Sequence, residues 1–277
     1  MITRGAGRVL SAAIVALGVM IGAGGAGPAP SGGLLGRKLE PAEVLPMHLV
    51  APEARAEVSE VVSEHSFHHK GEPETFPCDP QLYLSLLNEP ALTLALWQDL
   101  SQSPAKLSII APGLYQGTDG NGTTATWSFV LRSPQLHVLL CEMEYRSPRG
   151  SAHLEGRIVL IVHTNYYKEA GGSPWIQHEV EAYVKVDSRG WRAVAKTFRP
   201  LIERLLVDQL QEAGWFVSLM GRLVETYPDW ADQVIASQAH LPEETRGRFQ
   251  TVVSRVRRPD SSRGRPELAE GVETATR

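Results

Sequence analysis

The chain has 277 residues, 43% of them apolar and 21% charged, with a net charge of -4 and a pI near 6.2. That length holds one domain or two, and even one of moderate size buries an adequate core. The mildly acidic balance gives no reason to expect the concentrated basic face by which proteins meet nucleic acid, so no nucleic-acid partner is expected.

The first residues, "MITRGAGRVLSAAIVALGVMIGAGGAGPAP", place Arg4 and Arg8 before an apolar run from Val9 to Ile21, with small residues from Gly24 to Ala26. This pattern reads as a signal peptide over residues 1–27, or as an uncleaved membrane anchor. The run falls short of the roughly 20 apolar residues that cross a bilayer, and its Gly-rich end favours cleavage. Export to an envelope or secreted location is the expectation, with a tether if cleavage fails. In an oxidising compartment Cys78 and Cys141 have two readings: one disulfide, or two unpaired thiols with Cys141 in a strand and Cys78 in a loop. They lack the C-x-x-C spacing of a metal site, and no metal or cofactor is expected.

Residues 28–57 are rich in Pro, Gly, Ala and Glu and read as a flexible linker. The folded domain is expected over residues 58–240. "EVVSEHSFHHKG" holds a short first strand. Asp79 before Pro80, and Asn88 before Glu89-Pro90, then mark the N-caps of two short helices. Leu82, Leu86 and Leu87 make the apolar stripe of the first, while Leu92, Leu94, Leu96 and Trp97 serve the second.

Six antiparallel strands follow, separated by turn residues: "AKLSIIAPGLYQG", "TTATWSFVLR", "QLHVLLCEMEYR", "LEGRIVLIVHTNYY", "WIQHEVEAYVKV" and "WRAVAKTF". The "TDGNG" between the first two favours tight turns with positive φ. Trp127, Phe129 and Leu131 share a face by alternation. On the fifth strand His178, Val180, Ala182, Val184 and Val186 share a covered face, leaving Gln177, Glu179, Glu181, Tyr183 and Lys185 toward water. Pro200 opens a long helix that Pro228 ends after Tyr227, with a broad apolar band including Leu206 and Met220. Gly214 and Gly221 interrupt that band and permit a bend or a close backbone contact. Residues 241–277 read as partly helical and then disordered, the last stretch lacking large apolar residues.

This order of elements resembles the helix-grip fold of the START-like, or polyketide-cyclase-like, superfamily. The resemblance covers about Ser59 to Tyr227 and rests on element order and on "YVKVDSRGWRAVAKTFRPLIERLL", where the last strands run into the gripping helix. It implies an α+β fold with a curved antiparallel sheet of six to seven strands, two short helices and a long C-terminal helix packed on it. It also implies an apolar cavity between sheet and helix, and no shared catalytic constellation. The export signal and the C-terminal extension depart from the family pattern; an NTF2-like or cystatin-like fold competes with it.

The ligand-contacting set expected on this reading is His178, Val180, Tyr166, His163, Trp127, Leu206 and Met220. His178 stands out because it shares its strand's apolar face and is suited to bind a head group or move a proton. The directions of His137 and His163 are open, because both faces of their strands are apolar. His65, His68 and His69 invite a metal, but neighbours on a strand point to opposite faces, so a solvated surface is the reading. Glu142 and Glu144, with Arg157 across the sheet, read as solvent-facing ion pairs. Tyr166 and Tyr167 must face opposite sides. Asn121 opens a glycosylation sequon in a turn, and Arg246 to Arg258 reads as a solvated basic helix rather than a membrane-touching one. The P-loop, dinucleotide and G-x-S-x-G patterns are absent. The function expected is a non-enzymatic exported binding protein for an apolar small molecule or lipid. The alternatives are a cyclase- or hydrolase-type enzyme in the same pocket, and an envelope interaction protein resting on the two apolar faces of "GRIVLIVHTNYY".

Overall fold

Alternating apolar residues build one antiparallel sheet, and helices cover it on both sides. The computed structural model describes residues 40–100, 104–120, 122–146, 153–168, 172, 174–187 and 217–256. The segment read as an export signal, the start of the expected linker, Asn121, the strand expected at Trp191 to Phe198, most of the helix expected from Pro200 with Leu206 and Gly214, and the tail beyond Val256 lie outside them. The strands are β1 (Phe67–Lys70), β2 (Glu74–Pro77), β3 (Lys106–Ala111), β4 (Leu114–Thr118), β5 (Thr123–Arg132), β6 (Leu136–Arg146), β7 (His153–Lys168) and β8 (Pro174–Val186). Their order is β1-β8-β7-β6-β5-β4-β3, with β2 also paired to β8.

β1 and β2 are two pieces of one edge. Between them the Gly71 N–H donates to the Val180 carbonyl at 2.8 Å, and a Cβ at Gly71 would stand 3.1 Å from that oxygen. "AKLSIIAPGLYQG" folds as two strands, β3 and β4, around Gly113 at φ 75°. The expected turn after β4 forms with Gly120 at φ 70° and Gly122 at φ 106°. Asp119 closes it by accepting from the Thr123 amide and hydroxyl at 3.0 and 2.8 Å.

The helices are α1 (Pro41–Val44), α2 (Arg55–Ser63), α3 (Pro80–Asn88), α4 (Pro90–Leu100), α5 (residues 217–226), α6 (Pro228–Ser237) and α7 (Glu243–Val256). Asp79 caps α3 as expected, its Oδ1 accepting from the Gln81 and Leu82 amides at 2.8 and 3.1 Å. Asn88 is not a cap. It ends α3, and the first bond of α4 runs from the Thr93 amide to the Glu89 carbonyl. Two helices between the edge strands and the meander, and a later helix on the sheet's inner face, make this an α+β helix-grip arrangement. The inner core joins Phe76, Trp127, Leu160 and Val180 of the sheet to Leu82 and Leu86 of α3 and to Met220 and Val224 of α5.

The outer face corrects the sequence reading most. Residues 40–57 are no flexible linker: Leu45, Val50 and Ala54 are buried, and the Ala51 amide donates to the Val130 carbonyl at 2.9 Å. "EVVS" is the end of α2, whose Val58, Val61 and Val62 cover Val159, Ile161 and Tyr183. Tyr183 is therefore 1% exposed and Glu181 8%, where a wet face was expected. The two apolar faces of β7 are both covered from within the chain, which removes the observation behind the interaction-protein reading. Leu131 also leaves the face of Trp127 and Phe129, because β5 shifts register between Phe129 and Leu131. One extra residue inverts the alternation, so Val130 and Leu131 both join the outer core.

Charge pins α2 in place. Arg157 donates two bonds to Glu60 at 3.0 Å and two to Asp187 at 3.0 Å, and Lys185 joins Glu60 and Glu64. Arg157 thus serves α2 rather than Glu142, while Glu144 pairs with Arg146 and His153. Hydrogen bonds from Arg157 and Lys185 bring the Glu60 carboxyl from 4.5 down to about 2. At the other end α7 buries Thr245, Phe249 and Val253, so the domain continues to Val256 and "RGRFQTVVSRV" is packed rather than solvated.

Two outcomes follow for stability. Val61→Ala removes two buried methyl carbons and lowers the unfolding free energy by roughly 2 kcal/mol in urea titrations; a change below about 0.5 kcal/mol would contradict packing of α2 on the sheet. Glu60 has a folded pKa below its unfolded one, so its contribution is present above pH 4.5 and is lost as pH falls toward about 2. Urea midpoints are expected to drop across that window, less steeply in Glu60→Gln than in the parent.

Candidate functional site

Register brings three polar residues together on the inner face. Thr164 of β7 and Glu74 of β2 are both partners of His178 on β8, so the three stand in one row across adjacent strands. Tyr83 reaches the row from α3 and Ser218 from α5. The Tyr83 hydroxyl lies 2.9 Å from Thr164 Oγ1 and 3.4 Å from His178 Nδ1. On the other side of the imidazole, Nε2 is 3.4 Å from Glu74 Oε2, while Ser218 Oγ donates to Glu74 Oε1 at 2.6 Å. Arg222 stands 3.9 Å from the same carboxylate.

The environment is apolar and nearly dry. His178 is 3% exposed, Tyr83 0%, Thr164 1% and Ser218 2%. Phe76 packs its ring against the His178 imidazole at 5.1 Å, and Tyr166 packs edge-on to Tyr83 at 6.4 Å. Burial pushes the Glu74 carboxyl up, but the contact with His178, the bond from Ser218 and the charge of Arg222 outweigh it, leaving the group below its ordinary value. Burial pushes the Tyr83 phenol far upward, so it keeps its proton. Yet the Glu74–His178 approach is too long and poorly aimed for a full hydrogen bond: Glu74 Oε2 and His178 Nε2 are buried without a hydrogen-bond partner among the described residues. Each such atom costs about 1–3 kcal/mol of desolvation. The row can therefore grip a polar group that reaches both atoms, or pass a proton among carboxylate, imidazole and phenol.

Of the expected set, His178, Val180, Tyr166, Trp127 and Met220 all belong to the inner face. Tyr166 is half-buried and donates from its hydroxyl to the Pro134 carbonyl at 2.6 Å. Burial pushes its phenol up to about 12. Trp127 is 1% exposed, stacks on Tyr115 at 5.7 Å, and has a buried indole N–H with no hydrogen-bond partner among the described residues. It does not adjoin His178. Trp127 lies in the cross-strand row of Cys141, Ile158 and Val184, six residues along β8 from His178, or about 20 Å. His163 does not share that face. It is half-buried on the opposite face of β7, the face of Val159 and Ile161. Leu206 lies outside the described residues.

Other candidates resolve into structural contacts. His68 and His69 point to opposite faces as alternation requires; His68 stacks on Tyr183 at 4.4 Å and meets Glu181 at 2.7 Å. Glu144, His153 and Glu155 hold ligand-type atoms within 4.8 Å of one another, but Glu144 already accepts from Arg146 and His153 on the exposed side. Cys78 and Cys141 are free and buried, and burial pushes the Cys141 thiol up to about 12. Sequence reasoning missed Glu74, Tyr83, Thr164 and Ser218. Tyr83 carries a signal, since it follows Leu82 and precedes Leu86 and Leu87 on the buried side of α3. Glu74 carries none until the β2–β8 register is known.

No family model and no curated protein matches this chain. Solved structures do. A hypothetical protein from Helicobacter pylori is 12% identical and covers 57% of this chain and 90% of its own, with a TM-score of 0.37. A START superfamily protein from Mycobacterium smegmatis is 10% identical over 57% of this chain and 98% of its own, TM-score 0.32. A conserved protein from Geobacillus kaustophilus is 12% identical over 53% and 95%, TM-score 0.32. The helix-grip arrangement rests on the strand order and helix placement described above, not on these superpositions.

Gly221 fixes how closely α5 approaches the site. A Cβ there would stand 2.8 Å from Cys78 Sγ. Gly221→Ala is expected to destabilise by about 1–3 kcal/mol through overpacking, although Ala favours helix by about 1 kcal/mol. Cys78→Ala in the same chain should recover most of the loss in a double-mutant cycle; equal losses in both backgrounds would contradict this contact.

Proposed function

We propose that this protein binds a largely apolar small molecule with one polar end, held on the inner face between the sheet and the helical layer. Glu74, His178 and Tyr83 orient the polar end, and Val180, Met220 and the neighbouring apolar side chains take the body. One observation carries the reading: a carboxylate oxygen and an imidazole nitrogen lie side by side at the edge of an apolar core, each buried without a hydrogen-bond partner among the described residues. A ligand hydroxyl or amide that donates to Oε2 and meets Nε2 offsets that cost. The helix-grip arrangement supports the reading, since it sets a helix over the same sheet face. The protein acts as a carrier or sensor in this account, exported by its N-terminal segment.

A second reading is favoured by the same row. A carboxylate beside an imidazole, with a phenol on the far nitrogen, can move a proton on a bound ligand, as a cyclase or hydrolase needs. The two readings part on turnover.

Native mass spectrometry of the full chain, isolated from its source without detergent, is expected to show a non-covalent adduct of a few hundred daltons. His178→Leu should lower its retention about tenfold, equivalent to losing one hydrogen bond of about 1.4 kcal/mol, with an unchanged circular dichroism spectrum. A chain that is empty in every preparation would overturn the carrier reading. Conversion of the released molecule by the parent but not by Glu74→Gln would decide for the enzyme.

A further inference from the structure

We infer that the groove between α3 and α7 is a second binding site, for a small amphipathic anion. The groove has a volume of about 550 Å³, within the range of about 300–1,000 Å³ typical of small-molecule sites. Its floor is apolar: Leu92 and Phe249 are each 1% exposed, with Leu84 and Val252 half-buried beside them.

Its rim is cationic. Arg132 arrives from the end of β5, and Arg248 and Arg255 from α7. Arg248 is neutralised, donating to Glu89 and Glu244 at 2.8 Å each. The other two make no ion pair among the described residues, although the Glu89 charge also acts on Arg132. Arg132 lies over the Phe129 ring at 4.1 Å and donates to the Tyr115 hydroxyl at 3.4 Å, and Arg255 donates to the neutral Gln81 side chain. Neither has a carboxylate partner among the described residues. Arg132 pairs across the sheet with His137, which meets Asn88, whereas Arg255 meets Gln81 seven residues earlier on α3, about 10 Å away along the helix; each forked guanidinium matches a carboxylate or phosphate.

Asn88 adds a directed donor. The His137 ring nitrogen Nε2 lies 3.2 Å from Asn88 Oδ1. Burial, and then the charge of Arg132, bring His137 down to about 4, and with Oδ1 as the acceptor the proton of that bond sits on Nε2. With its oxygen engaged, Asn88 has its NH2 group left to offer the groove, at the end of α3 near Arg132. Ser85, Thr245 and Thr251 offer hydroxyls that donate or accept, so the directed donors of this rim are Arg132, Arg255 and Asn88. An anionic head above an apolar body matches that lining, whereas a cation or a second carboxylate-free apolar chain leaves it unmatched.

Calorimetry with the full chain tests this, using dodecanoate and dodecyl phosphate below their micelle concentrations, dodecyltrimethylammonium as the cation with the same tail, and inorganic phosphate without a tail. Either anionic amphiphile is expected to bind at least tenfold more tightly than the cation and than inorganic phosphate, and the tighter of the two identifies the head group. Arg132→Gln with Arg255→Gln should weaken it at least tenfold, and Ser85→Trp, which fills the groove from α3 at unchanged charge, should do the same. His178→Leu should leave this binding unchanged, so failure of the inner-face reading and failure of this one are distinguishable. Equal affinity in parent, arginine and tryptophan variants would overturn the proposal, as would equal binding of the cation or of inorganic phosphate.

Discussion

The pairing of β2 with β8 is the constraint on which the inner-face site depends. Glu74 sits opposite His178 only because the edge strand resumes after Gly71, where the backbone runs too close to Val180 for a side chain to fit easily. Shifting the register by one residue would turn Glu74 outward and bring a neighbour under the helix. The same pairing sets Phe76 against the imidazole and leads through Cys78 into the Asp79 cap of α3, which delivers Tyr83. Sheet pairing, a helix cap and a close helix approach at Gly221 therefore converge on one polar row.

That row is stable only because both faces of the sheet are dry. Inside, α3, α4, α5 and α7 supply the cover; outside, residues 40–63 do, fastened by Arg157 and Lys185. A bidentate arginine network spanning helix and two strands holds better than isolated surface pairs, whose worth is about 0–1 kcal/mol. The outer cover also explains why β7 is apolar on both faces, a pattern that in a one-sided sheet would invite a partner chain.

Much of the architecture was legible from local chemistry. Alternation placed His178 and Val180 on the covered face, Asp79-Pro80 announced α3, and Asp-Gly and Asn-Gly announced the turn before β5. What failed was non-local. Val58, Val61 and Val62 have helical spacing, but nothing nearby says that a helix covers the far side of a sheet formed later in the chain. Asn88 looked like a cap until His137, 49 residues away, claimed its side chain. Leu131 obeyed alternation in the sequence and lost it to a bulge. Glu74 was invisible because its meaning comes from a strand about 100 residues away, and His163 misled because an apolar strand does not say which face is which.

The central claim is that Glu74 Oε2 and His178 Nε2 await a third group that is not protein. A crystal structure of the full chain as isolated, at a resolution that separates ordered solvent from an organic ligand, tests it most directly. The account predicts density for a non-protein molecule with an oxygen or nitrogen about 3 Å from both atoms and an apolar body along the inner face. A well-formed direct bond between the two side chains, or a lone water satisfying both, would contradict it.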